Sequence, residues 1–266
     1  MKKSVAFYDL KARLIPPVSF VILLALSALT NALPIFDIIL DPETGQLQTF
    51  DPNAAPAGQF YIVSALALGA MLLTIGVLMV YLCAAIRDAS SADYKGIECV
   101  LTAVKSYLRL IGVSLIKFIV NVLCFVPMLL INIFLLGYEY SAFLYFALLL
   151  LSLVPLAYFS IMFFFAESSI LDNKCRGVFQ SLKYSRDLTK GRRGEIFKVI
   201  AYCILMVLLI VMLLLYVLTT THQIIFQFII IFVFTIITLM QQKLTANLYV
   251  DTVSAYEARI SISGEL

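Results

Sequence analysis

The stretch Glu167–Lys198, ESSILDNKCRGVFQSLKYSRDLTKGRRGEIFK, decides how the chain is read, because it is the longest polar run between two apolar walls. It carries eight of the nineteen Lys and Arg residues. A basic segment bounded by apolar runs on both sides reads as a cytoplasmic connection between two membrane spans. Within it, Asp172 or Asn173 is expected to cap a helix start. Cys175, Val178, Phe179 and Leu182 form a narrow apolar stripe, and Gly191 is the expected stop. The segment therefore predicts an amphipathic surface helix over about 173–190 that feeds the next span.

The composition supports a membrane setting. Charged residues make up only 13% of the chain, against about 25% in soluble domains. Hydrophobic residues make up 62%, and the mean hydropathy is +1.02. Apolar runs near the ~20 residues needed to cross a bilayer recur, and they are continuous rather than alternating. That pattern predicts an all-α polytopic bundle and argues against a membrane β-barrel. Six spans are expected, over about 15–40, 60–86, 110–136, 142–166, 195–218 and 223–240 of one transmembrane domain, residues 1–266. The basic start before the first span also resembles a signal peptide. The apolar run outlasts the ~7–15 residues of a signal core, so an uncleaved span is expected.

Charge placement orients the bundle. The N-terminal segment holds four basic residues, the second-to-third connection four and the fourth-to-fifth seven, with Lys243 and Arg259 after the last span. Lys117 and Lys198 lie near the inner ends of spans three and five. The remaining three connections hold none, among them DPETGQLQTFDPNAAPAGQ at 41–59. The positive-inside rule then puts both termini in the cytoplasm of a cell (inner) membrane. Tyr94, Tyr107, Tyr184, Tyr202 and Tyr249 are expected near the inner interface and Tyr61, Tyr138, Tyr140, Tyr145 and Tyr216 near the outer one.

A second amphipathic segment is expected over about 92–109. Ile97, Val100, Leu101, Val104 and Leu108 share one face, and Lys95, Lys105 and Arg109 lie within roughly 80° of each other on the opposite side. Such a helix suits a membrane surface. Shifting the chain by 81 positions pairs Lys95 with Arg176, Gly96 with Gly177, Lys105 with Arg186, Arg109 with Lys190 and Lys117 with Lys198. This predicts a parallel internal repeat over about 60–136 and 141–217, unlike inverted transporter repeats. Along span two, Ala65, Gly69, Gly76 and Cys83 make a small-residue stripe suited to close helix packing.

The run Glu167-Ser168-Ser169-Ile170, Asp172-Asn173, Gly177-Val178, Ser181-Leu182-Lys183, Ser185 and Leu188-Thr189-Lys190-Gly191 resembles a signature of a bacterial superfamily of six-helix integral membrane proteins. That superfamily includes the membrane domain fused to some glycerophosphoryl diester phosphodiesterases. The resemblance is strongest over 165–200, and the six-span layout extends it. Tyr184, Arg186 and the absence of Trp depart from the pattern. The chain also lacks a soluble phosphodiesterase domain, so the resemblance implies a fold and a membrane address but no hydrolase activity.

Catalytic patterns are missing. The one histidine, His222, excludes H-E-x-x-H; no G-x-S-x-G or P-loop occurs, and no paired carboxylates lie deep in a span. Five cysteines without a C-x-x-C make neither a zinc site nor a disulfide framework. No cofactor and no nucleic-acid partner is expected. Lys95, Lys105, Arg109, Arg176, Arg186 and Lys190 are the expected contacts to anionic headgroups or to a partner at the cytoplasmic surface. Lys117 and Lys198 are candidates for gripping an anionic lipid or substrate, with Glu195 a local ion-pair partner for Lys198. The reading is a non-enzymatic membrane protein of envelope or lipid homeostasis, or an accessory subunit. The alternative is a transport permease subunit that needs a separate ATPase chain.

Overall fold

Backbone N–H and C=O groups in hydrocarbon must be satisfied within the segment, and long apolar runs meet that demand as helices. The computed structural model describes residues 6–32, 57–134, 153–201, 205 and 223–263, and these are helical with short connections. Helix α1 is Ile15–Ala32, α2 is Ala57–Ala89 and α3 is Gly96–Phe134. Helix α4 covers 153–162, α5 is Ala166–Leu171, α6 is Val178–Thr189, α7 covers 193–201 and α8 is Gln223–Ser263.

Four helical stretches among the described residues are long and apolar enough to cross a membrane: Tyr61–Ala89, Gly96–Val126, Leu153–Leu171 and Ile229–Ser261. Ile15–Thr30 is a shorter apolar helix. These are compatible with an integral membrane protein. The outer part of the expected first span, the first half of the fourth and most of the fifth lie outside the described residues, as does His222.

Helix α2 is the centre. It packs against α1, α3, α5 and α8. Six consecutive residues, Tyr81 to Ile86, are each no more than 2% exposed, so this part of α2 is enclosed on every side. Its other half is the reverse: Tyr61, Ile62, Leu66, Leu68, Met71 and Leu73 are exposed. The small-residue stripe splits in the same way. Gly76 faces the Tyr107 ring and Cys83 is buried, whereas nothing approaches Gly69 and Ala65 is exposed.

Helix lengths explain the division. At 1.5 Å per residue, the 41-residue α8 is ~60 Å long, about twice a ~30 Å hydrocarbon core. Its more polar second half, from Gln241 onward, exceeds what one crossing would need. Leu239 just before it, and Lys243, Ala246, Tyr249 and Val253 within it, are buried in the protein.

Several expected boundaries move. The segment over 92–109 is no separate surface helix: α3 runs without a break from Gly96 into the span and onward past Pro127. The helix expected over 173–190 starts at Val178, with Gly177 as its N-cap. Asp172 and Asn173 instead close α5, Asp172 as its C-cap and Asn173 left-handed at φ 57°. Ser91, after α2, is left-handed in the same way at φ 59°. Gly191 does end the helical run, at φ +85°. Pro16 and Pro17 sit in the first turn of α1, where their missing N–H groups cost little.

The break between α4 and α5 is closed by a side chain from α6. Ser185 is fully buried; its hydroxyl donates to the Met162 carbonyl (2.9 Å) and accepts from the Phe165 N–H (3.1 Å). Replacing Ser185 with Ala strands both backbone groups, so Ser185→Ala is expected to lower stability by about 1–3 kcal/mol. Thermal unfolding in mild detergent reads this, and an unchanged midpoint would contradict the bridging role.

Candidate functional site

The basic segments, distant in sequence, meet at one end of the bundle. The N-terminal segment docks first. Tyr81 Oη donates to the Phe7 carbonyl at 2.6 Å. The buried Lys243 ammonium donates to the carbonyls of Ala6 (3.0 Å) and Asp9. Lys11 gives its backbone N–H to Asp88 and its ammonium to the Ala92 carbonyl. Burying a charged amine is costly unless its donors are satisfied, and carbonyls do this for Lys243 without a carboxylate.

The next connection is tied by Arg87, whose guanidinium meets Glu98 at 3.0 Å and Thr102 at 3.3 Å. Arg109 reaches from α3 to the Arg176 carbonyl at 3.2 Å, just before α6. One turn or two further along α3, Lys117 pairs with Glu167 at 3.1 Å, and Ser114 donates to the same carboxylate oxygen. On the far side, Lys174 pairs with Glu257, Arg192 donates to the Asp251 carbonyl, and Arg259 donates to the Lys190 carbonyl. Residues 6–13, 87–117, 167–198 and 243–259 thus form one connected polar end.

Asp172 sits inside this end with Tyr249 Oη donating to it at 3.1 Å. Burial raises its carboxyl above the ordinary range, against the lowering effects of the Tyr249 hydrogen bond and the Lys174 charge. Lys174 is raised, chiefly by its hydrogen bond to Glu257. Burial pushes the Tyr184 phenol up to about 12, and its ring meets Tyr256 edge-on.

The expected contact residues divide. Lys95, Lys105, Arg176, Arg186, Lys190 and Lys198 are exposed. Lys190 also pairs with Asp187 on its own helix at 3.4 Å. Arg109 is half-buried and donates to the Arg176 carbonyl across to the next segment and to the Lys105 carbonyl on its own helix. Lys117 and Lys198 are not brought together: Lys117 is engaged by Glu167, while Lys198 stands open on α7. Glu195 pairs with Arg192 at 2.6 Å, in place of the expected Lys198.

Exposed apolar side chains stand among the open basic ones: Ile97, Leu101, Val104 and Leu108 on α3, Phe179 on α6 and Phe197 on α7. The stripe expected on α6 is correspondingly different. Leu182 is buried and Phe179 is 79% exposed, while the buried face is completed by Ser181, Ser185 and Thr189. Those hydroxyls donate to nearby carbonyls, so they pack as small neutral groups. Two of the tyrosines expected near the inner interface are engaged within the protein. Tyr249 is buried, and Tyr107 Oη donates to the Leu72 carbonyl.

Glu167, Asp172, Tyr249 and Lys243 are the residues that sequence reasoning missed. Glu167 carried a signal, an acid ending a span opposite a basic residue in another. Lys243 carried none. Among the described residues no group of three or more His, Cys, Asp or Glu could hold a metal. The four described cysteines, Cys83, Cys99, Cys124 and Cys175, are free and buried.

Compared with protein-family models, curated proteins and solved structures, the chain matches none. What the geometry defines is a class: an all-helical protein compatible with integral membrane insertion, with a connected basic end.

The raised Asp172 carboxyl sets a pH dependence. A carboxyl with a folded pKa above its unfolded one binds more protons in the folded state. Its contribution is full below the unfolded value and falls as pH rises through the folded one. The stability of the wild type relative to Asp172→Asn is therefore expected to decline as pH rises from about 3.8. Paired thermal unfolding curves across acid to neutral pH measure it, and a difference that grows with pH contradicts the assignment.

Proposed function

We propose that the protein is a non-enzymatic six-span protein of a cell (inner) membrane, with both termini cytoplasmic, that works in envelope or lipid homeostasis or as an accessory membrane subunit. The observation that carries this reading is the mixture at the basic end. Open cations at Lys95, Lys105, Arg176, Arg186 and Lys198 stand among exposed Ile97, Leu101, Leu108, Phe179 and Phe197, with Lys190 exposed but paired with Asp187. Apolar side chains beside open cations suit the boundary between acyl chains and anionic headgroups, where each basic residue contributes about 1 kcal/mol.

The internal repeat belongs to this proposal. Gly96 and Gly177 open equivalent helices, and left-handed Ser91 and Asn173 precede them one position off the same offset. The halves differ where α3 is continuous but α6 and α7 are separated by Gly191. Membership of the six-helix superfamily is likewise proposed on the residues of 165–200.

A permease subunit is the second reading. It draws support from α6, a short helix locked down by Ser181, Ser185 and Leu188 that leaves Phe179 and Lys183 outward for a soluble partner.

The lipid reading is tested with the full chain reconstituted in nanodiscs of mixed phosphatidylglycerol and phosphatidylcholine. Lys105→Glu and Arg186→Glu are each expected to reduce bound phosphatidylglycerol at least about fivefold relative to phosphatidylcholine. Unchanged lipid selectivity in the double variant would sink it.

A further inference from the structure

Helices α1, α2 and α3 leave a groove of about 530 Å³ between them, inside the ~300–1,000 Å³ range of small-molecule sites. The helix register can be followed along it. Ile15 of α1 lies against Gly96 of α3, so these two helices run side by side in the same direction. Arg87 meets Glu98 and Tyr107 meets Leu72, so α2 runs oppositely. The α3 wall, Val100 to Leu108, is ~12 Å long.

The lining is apolar except for Ser19 and Tyr107, and the Tyr107 hydroxyl is spent on the Leu72 carbonyl. The rims are large and outward: Val18 is 52%, Leu73 62%, Val104 66% and Leu108 83% exposed. A partner helix is a poor fit to such a slot. Helices associate in lipid through small residues at the contact, and here the small residue, Gly76, lies between the walls opposite the Tyr107 ring.

The mouth is basic. Arg13 stands two residues before Ile15 and Lys95 one before Gly96, and the Ile15–Gly96 contact lies about one turn from Val18 and Val100, where the lining begins. Both are exposed and have no ion-pair partner among the described residues. Nearby Lys11 is tied to Asp88 and Ala92 instead.

We propose that the α1–α2–α3 groove holds one acyl chain of an anionic phospholipid whose phosphate is held at the mouth by Arg13 and Lys95. The proposal rests on the lipid reading above and assigns it a specific seat. An acyl chain fills the slot, its open side continues into bilayer hydrocarbon, and the cations meet the headgroup where the chain leaves the protein. Arg13 acts here although it belongs to neither amphipathic helix expected from the sequence.

The test uses the full chain in nanodiscs of phosphatidylglycerol and phosphatidylcholine, with phosphatidylglycerol carrying a photoactivated diazirine in mid-chain. Label is expected on 18–22, 72–80 and 100–108. Gly76→Leu, which fills the groove, is expected to remove it. Gly76→Ala is expected to keep it, because a Cβ there meets the Tyr107 ring at an ordinary 3.6 Å. Val104→Phe, on the exposed rim, blocks the slot without altering a buried residue. Arg13→Gln and Lys95→Gln are each expected to lower labelling by phosphatidylglycerol about fivefold relative to a phosphatidylcholine probe. Label spread evenly over the lipid-facing half of α2, or label unchanged in both blocked variants, overturns the proposal. Crosslinking of a second copy through Val104 overturns it as well. If Lys105→Glu and Arg186→Glu still abolish selectivity while the groove variants do nothing, the seat fails and the lipid reading stands. If none of the basic variants changes selectivity, both fail.

Discussion

Everything in the structure hangs on the enclosure of Tyr81 to Ile86, a turn and a half of α2 with protein on every side. The reason lies in which solvent each end of the bundle displaces. In hydrocarbon, apolar side chains gain little by leaving lipid for protein, so a membrane setting would let α2 expose Tyr61 to Leu73 at no hydrophobic cost. Beyond the hydrocarbon the alternative is water, and each large apolar side chain buried there is worth about 1.5–3 kcal/mol. The ends of α2 and α8 beside the basic segments close around one another, and the tightest packing sits at the polar end.

That closure constrains the polar groups. Loops that carry eight basic residues in one segment would repel one another and the other basic segments unless many were engaged. Arg87, Arg109, Lys117, Lys174, Arg192, Lys243 and Arg259 are each committed to a carboxylate or a carbonyl. The committed set ties the N-terminal segment, α3, α5, α6 and α8 into one body. The exposed cations Lys95, Lys105, Arg176, Arg186 and Lys198 stand at its rim beside exposed Leu and Phe, and the proposed lipid role rests on that mixture. Basic residues of one chemical type are thus divided between internal contacts and an exposed rim.

Much of this was legible in the sequence, and the failures have physical causes. Long apolar runs predicted helices, and Gly191 marked the end of the surface helix. The amphipathic face of 92–109 was real, but it belongs to the first turns of a spanning helix: nothing local in that stretch breaks the hydrogen-bond ladder, so periodicity could not reveal where a surface segment ends. On α6 the apolar stripe finds Cys175, Val178 and Leu182 but misplaces Phe179, and it omits Ser181, Ser185 and Thr189, which return their hydroxyls to carbonyls and pack like small apolar residues. Lys117 reads from the sequence as free to grip an anion because Glu167, its partner, lies fifty positions away on another helix. Lys243 had no signal at all, since its partners are backbone carbonyls, which carry no residue identity.

The central claim is that the open cations and apolar side chains of the basic end address anionic lipid. Mild purification from native membranes followed by mass spectrometry of bound lipids and proteins tests it most directly. Enrichment of an anionic phospholipid over its share of the source membrane, without a stoichiometric soluble chain, is the predicted result. A stoichiometric nucleotide-binding chain with lipids at bulk proportions would contradict the claim and make α6 the docking element of a permease.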